Sequence, residues 1–150
     1  MQNLSTAIEL LAPVPVAHLE SGLESLQKTG GVLFGSDAFE LFLNLDHLRK
    51  GLSVQVWIYE SFSNSKAVVS WRGIYEEFIS SNDHHKLEHL QAMRPPSTKT
   101  DGAFAVYWRL SLLEKLDQSF PISNLYGRGR RTPFKKFFVP RGPTLIEPRF

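Results

Sequence analysis

Residues 54–59 constrain the fold most tightly. Val54, Val56 and Ile58 alternate with Gln55, Trp57 and Tyr59, and a period of two sends the aliphatic side chains to one face of an extended strand and the aromatic and amide side chains to the other. The pattern returns twice. Ala67, Val69, Trp71, Gly73 and Tyr75 alternate with Val68, Ser70, Arg72 and Ile74, and in 103–113 the residues Phe104, Val106, Trp108, Leu110 and Leu112 share a face. Ser61–Ser65 reads as the turn of a hairpin between the first two strands. Phe137-Phe138-Val139 and Thr144-Leu145-Ile146 are later strand candidates, and the prolines beside them assign both to a sheet edge.

Before residue 51 the period is helical. Ser5 to Leu11 suits a short helix, ended by Pro13 and Pro15. Val16, Leu19, Leu23 and Leu26 recur at spacings of three and four, and Gly30-Gly31 ends the run. Val32-Leu33-Phe34 predicts a short strand. A second helix carries Phe39, Phe42, Leu43, Leu45 and Leu48, with Ser36 or Asp37 as its cap and Gly51 after its basic C-terminus. Asn82 or Asp83 caps another short helix running to Met93, which Pro95-Pro96 stops.

The expected fold is therefore α+β: a small, strongly curved, mostly antiparallel β-sheet or barrel with N-terminal helices packed against it. One domain is expected over 1–150, with a helical layer at about 1–51, a β-rich body at about 52–150 and a basic C-terminal segment at 126–150. Hydrophobic residues make up 42% of the chain, enough for a core. No cysteine is present, which excludes disulfides, thiolate zinc sites and cysteine nucleophiles. With no apolar run of membrane-spanning length and no basic segment at Met1–Ser5, the chain reads as cytoplasmic and without a membrane partner.

The charge is unevenly placed. Residues 1–125 hold ten basic groups against fourteen acidic ones, a net −4, whereas 126–150 hold Arg128, Arg130, Arg131, Lys135, Lys136, Arg141 and Arg149 against Glu147, a net +6. A concentration of positive charge attracts polyanions even when the whole protein is near neutral.

The order of elements resembles the PUA-like domains of the EVE and ASCH kind. The resemblance rests on Asn44-Leu45-Asp46-His47-Leu48-Arg49-Lys50-Gly51, the strand Val54–Tyr59, the strand Val68-Val69-Ser70-Trp71-Arg72-Gly73, and Ala105-Val106-Tyr107-Trp108-Arg109-Leu110 followed by Pro121-Ile122-Ser123. It covers residues 40–147 in outline, and it departs from the pattern where Leu52-Ser53 replace an acidic residue after the glycine. What it implies is a barrel, RNA binding and, for EVE-type members, recognition of a modified base without catalysis.

Three functions follow from these observations. The first is a non-catalytic nucleic-acid-binding domain, with RNA slightly favoured. Arg128, Arg130, Arg131, Lys135 and Lys136 would neutralise phosphates, and Trp57, Tyr59, Arg72, Tyr107 and Arg109 would form a base-contacting face if their strands are neighbours. The bland alternatives are a solvated loop and a face covered by the N-terminal helices, with the aromatic residues as core anchors. The second function is a protein-interaction module using the same face or the Pro-rich terminus. The third is a small metal-dependent hydrolase, because His85, Glu88 and His89 form an H-x-x-E-H pattern on a helix. No catalytic residue, cofactor or metal is assigned, because that helix is short and no third ligand is evident.

Overall fold

The three alternating segments become the middle of a six-stranded sheet in the computed structural model, which describes residues 3–61 and 67–149. In chain order the elements are β1 (Glu9–Pro15), α1 (Val16–Thr29), β2 (Val32–Ser36), α2 (Phe39–Arg49), β3 (Val54–Ser61), β4 (Val68–Ser80), α3 (His84–Leu90), β5 (Val106–Pro121) and β6 (Thr144–Ile146). The strands lie in the order β2-β5-β4-β3-β1-β6. Among the named strands of the described residues β1 and β3 run parallel and the other neighbours are antiparallel. The architecture is thus α+β with a mostly antiparallel sheet. That sheet is open, since β2 and β6 stand at opposite ends of its hydrogen-bonded order. No helix among the described residues is long and apolar enough to cross a membrane.

The sheet separates two apolar clusters. On one side Val54, Val56 and Ile58 of β3 meet Trp71 and Tyr75 of β4, Trp108 and Leu110 of β5, and Leu19, Phe42 and Leu45 from α1 and α2. Tyr75 secures α2 further, its hydroxyl donating to Asp46 at 2.7 Å while Arg49 Nε donates to the same carboxylate oxygen at 2.7 Å. On the other side Trp57 and Tyr59 pack with Leu11, Val69, Phe120, Ile122, Leu125 and Ile146. The aromatic face of β3 is therefore covered by the segment that follows β5, and the N-terminal helices lie over the aliphatic face.

Residues 9–15 correct the expected helix at Ser5–Leu11. An apolar run does not distinguish a helix from a strand buried on both faces, and here Leu10 enters the first cluster while Leu11 enters the second. Pro13 and Pro15 are tolerated because β6 pairs only with Glu9, Leu10 and Leu11, which leaves the prolines on an open edge where a missing N–H breaks no ladder. The expected helix from Val16 runs to Thr29 and ends at Gly30, whose φ of 82° is the left-handed conformation that glycine adopts without strain.

Strand register also departs from simple alternation. Bulges lie between Val69 and Trp71, between Ile74 and Tyr75, and between Tyr75 and Glu77. Each changes which residues share a face, so Val69 joins the second cluster and Trp71 the first. β4 reaches Ser80 and β5 reaches Pro121, both beyond the expected ends. Phe137-Phe138-Val139 is not a strand: the Phe138 N–H donates to the Lys135 carbonyl at 3.0 Å, and Phe137 has φ 68°. Beyond Ser61, the expected turn at 61–65 falls outside the described residues.

Candidate functional site

A cavity of about 1120 Å³ opens at the C-terminal ends of the parallel pair. Pro13, Val14 and Pro15 of β1 and Tyr59, Glu60 and Ser61 of β3 contribute to it, as do Phe34 and Gly35 of β2. β1 and β2 are four places apart in the sheet, so the cavity occupies the gap between an open edge of one and the open edge of the other. His18 of α1 and Ala67 also face it, and two further segments add Arg94, Thr98, Asp101, Gly102 and Phe104 before β5, and Phe137, Val139, Pro140 and Arg141 from the C-terminal segment. Gly35 is required where Phe104 crosses β2, because a Cβ at that position would sit 2.1 Å from the Phe104 ring.

The polar groups of the lining differ in how they are held. Glu60 Oε2 accepts from Trp71 Nε1 at 2.9 Å. Asp101 Oδ2 lies 3.0 Å from His18 Nε2, and the other nitrogen of that ring, Nδ1, lies 2.6 Å from Ser97 Oγ. Ser97 Oγ also lies 2.7 Å from Ser21 Oγ and donates to the Ala17 carbonyl at 3.1 Å, so its hydroxyl is fully engaged in clasping its loop to α1. The Tyr59 hydroxyl donates to the Pro140 carbonyl, and burial pushes its pKa upward. Arg94 Nη1 donates to the Leu33 carbonyl at 2.8 Å, and its guanidinium carbon sits 5.0 Å from the centroid of the Tyr107 ring. Burial pulls the Arg94 pKa below its ordinary value, while Tyr107 and Asp101 oppose that shift. No carboxylate among the described residues lies within ion-pair distance of Arg94 or Arg141.

The residues expected to bind phosphates are all exposed. Arg128, Arg130, Arg131, Lys135 and Lys136 form no ion pair among the described residues. Their backbone is nevertheless tied down: Arg128 N–H donates to the Leu145 carbonyl, Gly129 N–H to Glu147 and Arg130 N–H to the Gly127 carbonyl. Phe134 enters the second cluster and stacks on Phe138, with centroids 5.7 Å apart at 21°. Phe137 is 77% exposed, and Lys136 Nζ lies 5.3 Å from its centroid.

The five residues expected to share a base-contacting face are placed apart. Trp57 is buried, its Nε1 donating to Glu9 at 2.9 Å, and Tyr59 is buried except where it borders the cavity. Arg72 donates to Glu114 at 2.6 Å and to Gln55 at 2.9 Å. Tyr107 lies under Arg94 and meets Phe104 edge to face, with centroids 6.1 Å apart. Arg109 Nε donates to Glu77 at 2.8 Å, and Lys86 reaches the other oxygen of the same carboxylate. Burial would raise the Glu77 pKa, but the hydrogen bonds from Lys86 and Arg109 outweigh it and hold the carboxyl below its usual value.

A carboxyl whose folded-state pKa is depressed stabilises the fold above its unfolded value, and that contribution is lost as pH falls through the folded value. Glu77→Gln should therefore lower Tm near pH 7, and the gap from the parent should close as pH falls below about 4. Thermal melts of both proteins between pH 3 and 7 check this; a gap that is constant with pH would remove the assigned role.

His85 and His89 lie on exposed α3, their rings edge to face at 4.7 Å. No cluster of three or more His, Cys, Asp or Glu able to hold a metal, with Glu88 or otherwise, occurs among the described residues. Comparison with protein families, curated proteins and solved structures finds no match.

Sequence reading missed the cavity residues His18, Phe34, Arg94, Asp101 and Phe104. They come from three separate segments, and no spacing links them. One signal was available: Arg94 stands immediately before Pro95-Pro96, which hold its backbone extended.

Proposed function

We propose that the protein is a non-catalytic nucleic-acid-binding domain that draws an unstacked base of a single strand into the cavity while the basic C-terminal segment holds the phosphates. The observation that carries this reading is Phe137, a 77% exposed aromatic ring that lines the cavity, next in sequence to Lys135 and Lys136. A bulky residue at φ 68° is held against its own backbone preference, and such positions concentrate at functional sites. Exposed rings stack on bases, and adjacent cations neutralise phosphates. The rest of the lining is consistent with a planar guest: Phe34, Tyr59 and Phe104 supply aromatic surface.

The PUA-like resemblance belongs to the same proposal. Three bulges in the β4–β5 ribbon favour a strongly bent sheet, and a cavity shared by β1 and β2 is what a nearly closed barrel would hold at its seam. A cytoplasmic location and a preference for RNA over DNA are part of this reading.

Fluorescence anisotropy with a labelled 12-nucleotide single strand and its duplex tests it. The single strand should bind more tightly than the duplex. Phe137→Ala should weaken it by about 1–3 kcal/mol, the loss of one stacked base, and should leave Tm unchanged because the ring is exposed. Absence of binding to RNA and DNA of either form at low salt would end the reading and leave the protein-interaction module as the better account.

A further inference from the structure

We propose that the cavity contains an anion subsite, built by Arg94 and Arg141, that takes a terminal phosphate monoester of a nucleotide. This deepens the nucleic-acid reading and rests on it for the identity of the group that carries the phosphate. The cations and anions of the lining are unequally engaged. Both carboxylates are already hydrogen-bonded, Glu60 by Trp71 and Asp101 by His18. The two guanidinium groups have no carboxylate within ion-pair distance among the described residues.

Arg94 is the more telling of the two. Its side chain is half-buried between the cavity and a second, smaller one, and one hydrogen bond to the Leu33 carbonyl uses only one of five guanidinium donors. A partly buried cation with no carboxylate in ion-pair contact, Asp101 acting on it only from farther off, is costly to keep, and an arriving phosphate would offset that cost. The guanidinium fork matches the spacing of phosphate oxygens, and the charge-assisted hydrogen bonds it forms are stronger than neutral ones. Arg141 approaches the same space from the C-terminal segment and is exposed, so it can follow a ligand inward.

A lone inorganic anion would leave most of the cavity empty. The aromatic lining provided by Phe34, Tyr59 and Phe104 suits a nucleoside attached to the phosphate. The same chemistry is offered by a free mononucleotide and by the 5′ end of a strand.

The experiment compares four probes on the full chain: adenosine, adenosine 5′-monophosphate, and 12-nucleotide single strands bearing either a 5′-phosphate or a 5′-hydroxyl, the strands labelled at the 3′ end. In the parent protein the phosphate should tighten binding about 10- to 100-fold within at least one pair. Arg94→Met, which keeps an unbranched apolar stem and removes the guanidinium group, should abolish that increment, and Arg141→Met should reduce it. Should Arg94→Met lower Tm sharply, Arg141→Met decides, because an exposed side chain can be exchanged without disturbing the fold. Discrimination within the strand pair alone assigns the subsite to a strand end. Discrimination between adenosine and its monophosphate without strand binding supports the phosphate subsite and overturns the strand reading. Equal binding of the two strands, together with no preference for the monophosphate, overturns the subsite and leaves strand binding standing.

Discussion

Replacing Arg128, Arg130 and Arg131 together with alanine is expected to weaken binding of a single-stranded oligonucleotide roughly 100-fold at about 0.1 M salt. Each phosphate neutralised on a single strand contributes about 0.7 to the slope of log K against log salt. Three such contacts give a slope near 2, hence about two orders of magnitude between 0.1 M and a 1 M reference. The triple variant should show a flatter slope by that amount and the same order of preference among sequences, because phosphate contacts position a strand and do not read it. The fold should survive, since the segment is held by the backbone bonds at 128–130 and by Phe134 in the second cluster, none of which needs a guanidinium group. Anisotropy titrations at four salt concentrations measure both quantities. An unchanged slope would show that these arginines do not touch phosphate.

The largest effect on stability should come from Trp108→Ala. The indole is buried in β5, with Phe34 of β2 at 5.3 Å and Phe42 of α2 at 5.8 Å between ring centroids. Removing it leaves a cavity that three different elements cannot close together, a loss of about 3–5 kcal/mol. A domain of this size has about 5–15 kcal/mol in total, so the urea midpoint should fall steeply and Tm should drop by roughly 10 °C or more. Trp108→Phe should recover a large part of the loss. Because Phe34 also lines the site, Trp108→Ala should weaken ligand binding under conditions where the protein is still folded. A Trp108→Ala variant within 1 kcal/mol of the parent would mean that this cluster is not the centre of the core.

These outcomes depend on features that were unequally visible in the sequence. β3 was legible because Val54, Val56 and Ile58 alternate without interruption; the burial of its other face was not, since a period of two separates the faces and does not say what covers the second one. The helix from Val16 was legible for the corresponding reason, with Gly30 at its end. β1 was not, because Ile8–Leu11 is apolar at every position but one and its partners Val56 and Trp57 lie more than forty residues away. The irregularity between Val69 and Trp71 was hidden as well: opposite these two positions the partner strand runs from Phe120 to Lys115, three residues more than a regular ladder uses, and nothing in the composition marks it. The exposed basic residues could be named from charge alone. The cavity could not, since His18, Arg94 and Arg141 come to line one space only after the chain has folded.

Pro13 and Pro15 have an effect beyond their own strand. A strand edge that is left unpaired is a template on which another molecule's strand can add, ladder by ladder, into an aggregate. This edge has no amide hydrogen at 13 or 15 and a rigid φ at both, so an incoming backbone finds donors missing where it would need them. The two rings thereby discourage self-polymerisation while the mouth remains uncovered, and a guest small enough to ignore the missing ladder is not refused. Exchanging both for residues with an N–H would restore the template, at the one place in the sheet where the chain has most reason to keep it broken.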